Sequence, residues 1–137
     1  MTLTDDRITA ERLEELLGDD SVPLAHRALW LLLWECELKV LDLLSLETGD
    51  VDLAGRRVTG VSGRAVPADE GALSGRAVEL LAGLIGARAT GPLLAVGGRS
   101  LGWEEVVRTA EERGHGIHAF RTGGKLQRRA DSPAAGE

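Results

Sequence analysis

The stretch HGIHAFRTGG, His115 to Gly124, places a histidine three residues ahead of an arginine. An imidazole and a guanidinium at that spacing can hold a phosphate. The cation stabilises negative charge that develops on phosphorus, and the imidazole can move a proton. In covalent phosphoryl transfer a third group, such as a tyrosine, attacks the phosphorus. The 137-residue sequence contains no tyrosine. Two readings of His118 and Arg121 therefore stand side by side. Either they keep a phosphate contact, or His118 bridges or caps a helix start while Arg121 pairs with an acid such as Asp42.

Other residues of the right chemistry lie nearby. Arg121, Lys125, Arg128 and Arg129 put four cations in nine residues, and Arg56, Arg57 and Arg64 can extend the same surface. Phosphate binding needs such cations, and each neutralised phosphate adds to the salt dependence of binding. A solvated terminal helix carries the same charges with no such role. The charge is uneven: residues 1–52 hold 13 acids and 4 bases, a net −9, while residues 53–129 hold 7 acids and 12 bases, a net +5. A polyanion would meet the second half. His26, His115, His118 and the one cysteine, Cys36, do not form a zinc spacing. GGRSLG and GDVDLAG lack the lysine and the context of a phosphate loop. No cofactor is expected.

These side chains must be positioned by a chain of 43% apolar and 28% charged residues, which is ordinary for a single globular domain. TAERLEELLG predicts a first helix, with Thr9 as N-cap, Ile8 and Leu13 as a hydrophobic staple, and Gly18 at the end. A second helix begins near Pro23 and runs through LAHRALWLLLWECE, apolar all round as a buried helix must be. A third, KVLDLLSLE, turns Val40, Leu43, Leu44 and Leu46 inward. Short β-branched runs at 51–53, 56–61 and 64–68, divided by glycine turns, predict a three-stranded antiparallel meander with Pro67 at its edge or end. A fourth helix covers about 74–86 with Ser74 as N-cap. PLLAV, 92–96, reads as an apolar connector. A fifth helix starts after Ser100, with Glu104 and Glu105 in its first turn, Arg113 in its last and Gly114 closing it. A sixth can start near Ile117, but Gly123 and Gly124 weaken it. Helices and strands are segregated, so the fold class is α+β, mostly helical with a small three-stranded antiparallel sheet. Residues 1–129 are expected to form one domain, and ADSPAAGE, 130–137, a disordered tail.

The acidic start, Asp5 and Asp6, does not suit a signal peptide, and the longest apolar run, ALWLLLW, is seven residues. That is far short of the ~20 needed to span a bilayer. Cys36 sits in an apolar run and has no partner for an internal disulfide, which suits a reducing compartment. A cytoplasmic protein without membrane contact is expected.

The order of elements resembles the catalytic domain of tyrosine recombinases, the phage integrases. LLLWECELKVLDLLSLETGDVDL is similar to the family's first arginine segment, RRVTGVSGRAVPAD to its β-hairpin, and SLGWEEVVRTAEERGHGIHAFR to the helix that carries the H-x-x-R box. The resemblance covers roughly residues 8–125. In that family two arginines and a lysine hold the scissile phosphate while a tyrosine attacks it. Carried over by position, the first arginine falls on Lys39, which keeps the charge but not the forked two-point contact. The acid after it matches Asp42, and the hairpin lysine falls on Val61, with Arg64 close by. His118 and Arg121 match the H-x-x-R box. The later His or Trp and the tyrosine have no counterpart.

The resemblance thus implies a truncated, degenerate integrase-like core with a vestigial phosphate pocket of Lys39, Asp42, Arg64, His118 and Arg121. It implies non-covalent DNA binding through Arg56, Arg57, Arg64, Arg121, Lys125, Arg128 and Arg129, with no catalysis. The alternative is a protein-interaction module. Loss of the family's C-terminal elements would leave an apolar face to be covered by a second copy or another protein. An unrelated phosphoester hydrolase using His118 and Arg121 is a minor third reading.

Overall fold

Three helices of the chain begin where local chemistry directs. The computed structural model describes residues 8–36, 38–87, 90–96 and 99–130, the last four of these as backbone only. Helix α1, Ala10–Leu17, is capped by the Thr9 hydroxyl, which accepts from the Arg12 N–H at 3.1 Å. Ile8 and Leu13 on either side of that cap are both buried. Helix α2, Leu24–Glu35, starts just past Pro23, and eight of its residues are buried, from Ala25 to Leu33. Helix α4, Gly75–Ile85, is capped by Ser74, whose hydroxyl accepts from the Ala77 N–H at 3.1 Å.

Helix α2 is the axis of the core. It packs against α1, α4 and α6, Ala119–Ala130, and Trp30 stacks on Phe120 of α6 with ring centroids 5.0 Å apart and planes 3° from parallel. Helix α6 corrects the expectation that its glycines would weaken it. Both are buried, and a Cβ on Gly124 would drive into the backbone of Trp34, while one on Gly123 would strike Ile8 and the Trp34 ring. The missing side chains let α6 approach α2 closely, and that packing outweighs the poor helix propensity of glycine. Because α6 continues to Ala130, the expected tail begins no earlier than 131, and residues 131–137 lie outside the described part of the chain.

The predicted third helix is shorter than its apolar pattern. Helix α3 spans Val40–Leu44 and gives way to a 3-10 turn at Thr48–Asp50, closed by the Glu47 N–H donating to the Asp50 carboxylate at 2.9 Å. Val40, Leu43 and Leu46 are buried and Leu44 is half-buried.

The single three-stranded sheet does not form. Strand β1, Val51–Asp52, pairs with β2, Arg57–Val58, and β3, Gly60–Val61, pairs with β4, Arg64–Ala65, as two separate antiparallel ladders. The cause is visible at the far edge of β2. There the Val58 N–H donates to Gly71 O at 2.8 Å and the Leu73 N–H to Arg56 O at 2.9 Å. The returning chain at 71–73 occupies the edge that a continuous third strand needs. Ser62 and Gly63 take φ values of 49° and 82°, the twist that a two-residue hairpin turn requires. Strand β4 ends before Pro67, in keeping with its missing N–H.

The stretch expected to be a connector carries a third two-stranded ladder. Strand β5, Ala95–Val96, pairs with β6, Arg99–Ser100, and the Leu93 N–H donates to Leu46 O at 2.9 Å. Helix α5, Trp103–Glu112, follows with Gly102 as its N-cap, and Gly114 turns the chain at a φ of 87°. The architecture is α+β, with six helices and three small ladders among the described residues. No helix of the described residues is long and apolar enough to cross a membrane.

Candidate functional site

Helix α3 is short because Lys39 starts it in an extended conformation and Ser45 stops it one residue after Leu44. Its buried face fixes Val40 and Leu43 in the core, so Lys39, Leu41 and Asp42 turn toward the surface. The hairpin of β3 and β4 lies against this helix. The hydroxyls of Ser45 and Ser62 are 3.1 Å apart, and an Arg64 Nη2 donates to Asp42 Oδ1 at 3.4 Å. Both partners of that ion pair face solvent, so its contribution to stability is small.

From the other side come α5 and the turn before α6. Trp103, the first residue of α5, lies 5.9 Å from His118 between ring centroids, with the planes 47° apart. His118 is exposed just ahead of α6, where its carbonyl accepts from the Thr122 N–H at 3.1 Å. Between the two groups opens a cleft of about 310 Å3 lined by Lys39, Val40, Leu41, Asp42, Trp103 and His118. Segments far apart in the sequence thus bring an ammonium, a carboxylate, an imidazole and an indole to one opening.

Of the five residues proposed for a phosphate pocket, Lys39, Asp42 and His118 line this cleft, and Arg64 joins it through Asp42. Arg121 is not among its lining residues. It is half-buried, and its Nε is buried without a hydrogen-bond partner. The expected pairing of Arg121 with Asp42 is not seen, because Arg64 takes that carboxylate. Val61, expected from the resemblance to stand where the family has its hairpin lysine, is fully buried opposite Arg64 across the tight turn.

The wider set of cations divides. Arg56 is exposed with a φ of 56°, while Arg57 is half-buried and donates to Val66 O at 3.3 Å, which ties its guanidinium to the hairpin. Lys125 is exposed on α6; the Arg128 and Arg129 side chains lie outside the described residues.

Two further residues belong to the site that no motif in the sequence marks. Leu41 is 64% exposed and Trp103 42%, and both line the cleft. The signal for Leu41 was present: it is the leucine of VLDLL that falls outside the inward-facing set. Trp103 gave no such signal, since α5 is amphipathic and Val106 and Ala110 form its buried face. Among the described residues no group of histidine, cysteine and acidic side chains is placed to hold a metal.

A second depression of about 610 Å3 adjoins the first through Trp103 and is lined by Arg99, Gly102, Glu104, Glu105 and Arg108. Glu105 is held below the ordinary carboxylate range. Partial burial pushes its pKa up, but the Gly102 N–H and the Arg99 guanidinium, 3.2 Å away, outweigh that. No family model, no curated protein and no solved structure matches this chain.

Proposed function

We propose that the chain is a tyrosine-recombinase-like core that binds DNA without cutting it. The observation that carries this reading is the shared cleft: Lys39 and Asp42, neighbours at the start of α3, meet His118 from far along the sequence at one opening, and Arg64 is tied to the same carboxylate. A lysine and an imidazole on the rim suit a phosphodiester oxygen. The chain's own sequence offers no tyrosine for attack on it, so the contact holds and does not react. The test is anisotropy of a labelled duplex between 50 and 200 mM salt. Affinity falls as salt rises, with a log–log slope of about −0.9 per neutralised phosphate. The double variant Lys39→Glu/Arg64→Glu weakens binding and flattens that slope. Binding indifferent to salt and to both charges would overturn the proposal.

A second reading has its own observation. Leu41 and Trp103 are the two large apolar side chains most exposed among the described residues, and they share the cleft. A protein partner or a second copy would bury them, and apolar anchors of this kind concentrate binding energy. This reading expects a complex that survives high salt and is lost in Leu41→Asp. A monomer by light scattering at 1 M salt, with Leu41→Asp unchanged, counts against it.

A further inference from the structure

We propose that the cleft takes an unpaired base of single-stranded nucleic acid, stacked on Trp103, with the strand passing from the Lys39 side to the Arg99 and Arg108 side. The inference rests on the DNA-binding reading above and narrows it.

A double helix stacks its bases inside and presents phosphates and sugars outward. Lys39 suits that surface, but Leu41 and Trp103 do not, and together they make much of the cleft wall. An unpaired base offers what such a wall lacks: a flat apolar face for the indole and N–H groups at its edge. Asp42 stands where it can accept from those N–H groups, since Arg64 engages only its Oδ1, at 3.4 Å. A cleft of about 310 Å3 lies at the small end of the usual range for ligand sites, about 300–1,000 Å3. One base fits that size and a duplex does not.

The surroundings extend the same pattern. Trp103 also walls the second depression, with Arg99 and Arg108 in its lining. Cations therefore flank the aromatic residue on both sides: Lys39 before it, Arg99 and Arg108 after it. An aromatic platform between cations is how proteins grip single strands without reading sequence. Glu104 and Glu105 lie in the same depression and oppose a phosphate there, and Arg99 pairs with Glu105. The expected grip is thus modest, and stacking, not charge, makes the larger share.

The test uses the full chain with a labelled 15-nucleotide oligothymidine, the same length of duplex, and thymidine monophosphate as a competitor. The single strand is expected to bind at least about tenfold more tightly than the duplex, because only its bases can stack. Trp103→Ala lowers single-strand affinity by about tenfold or more and lowers duplex affinity by a clearly smaller factor. Trp103→Phe, which keeps a ring, restores most of it. Equal affinity for both forms, or indifference to Trp103→Ala, overturns this inference and leaves the DNA-binding reading standing. Binding to neither form overturns both. Full displacement by equimolar monophosphate replaces the strand with a free nucleotide and overturns the proposal. So does a salt-resistant dimer, abolished by Trp103→Ala, that binds no oligonucleotide.

Discussion

His26 is the residue at which pH reaches the core. It is buried on α2 at 6.5 Å from the Trp30 ring, and its Nδ1 has no hydrogen-bond partner. Burial pushes its pKa below the ordinary 6.5, and the opposing pull of the Glu105 and Glu112 carboxylates on α5 does not make up the difference. The folded state therefore holds the neutral imidazole. The unfolded chain takes up a proton as pH drops through about 6.5 and the folded chain does not. Stability is complete above that value and is lost as pH falls below it. The urea midpoint is expected to fall between pH 7.5 and pH 5.5, and to fall less in His26→Leu. The other two histidines are present in both proteins, so the difference isolates His26. Asp19 and Glu105 are also shifted, but downward from carboxylate values: Asp19 chiefly by the Ser21 hydroxyl, Glu105 by the Gly102 N–H and Arg99. Their contribution is present above about pH 4 and is lost only below it, outside this window. A midpoint that rises on acidification to pH 5.5 would contradict the assignment.

Among the elements, glycine has opposite meanings at two helix positions. Gly124 in α6 lies against the Trp34 backbone with no space for a methyl group, whereas a Cβ on Gly75 at the start of α4 meets only an Arg56 nitrogen at 4.0 Å. Gly75→Ala is expected to stabilise by about 0.4–1 kcal/mol, because it restricts the unfolded chain at no steric cost. Gly124→Ala gains the same propensity but forces α6 off α2, and overpacking of that kind costs about 1–3 kcal/mol or more. Urea denaturation of the two variants should move in opposite directions; a stabilised Gly124→Ala would mean that α6 does not pack as described. The same contrast explains what the sequence revealed. Helices α1 and α4 were legible because Thr9 and Ser74 satisfy their first N–H groups locally. Helix α6 is not legible in the same way, because its glycines answer to α2, more than eighty residues earlier in the chain. The meander was half legible: its glycine turns and β-branched runs are local. Its division into two ladders depends on residues 71–73 reaching the β2 edge, which no local pattern announces.

At the scale of the whole molecule, the cleft combines what could and could not be read in advance. The resemblance points to Lys39, Asp42 and His118 by position, but their meeting depends on α3 and the turn before α6 being carried to one place by the core. Leu41 and Trp103 became visible only once it was known which helix faces the core leaves bare. That core is built on one element. Helix α2 touches α1, α4 and α6, and Trp30 and Phe120 lock it to the last of these. Removing α2 from its seat exposes most of the buried aliphatic residues at once, so the helices cannot melt independently. Unfolding is expected to be a single cooperative step. The chain carries its own reporters: Trp30 is fully buried, Trp34 is packed against the core and Trp103 is exposed. In Trp103→Phe the remaining emission comes from α2 alone. Its urea transition should coincide with the loss of helical circular dichroism within error, and the slope against urea should match that of the unsubstituted chain. If the helical signal instead began to fall at lower urea than the tryptophan signal, part of the helix layer would be separable from α2. The cleft, which α3 shares with α5, would then be built across a joint instead of on a fixed core.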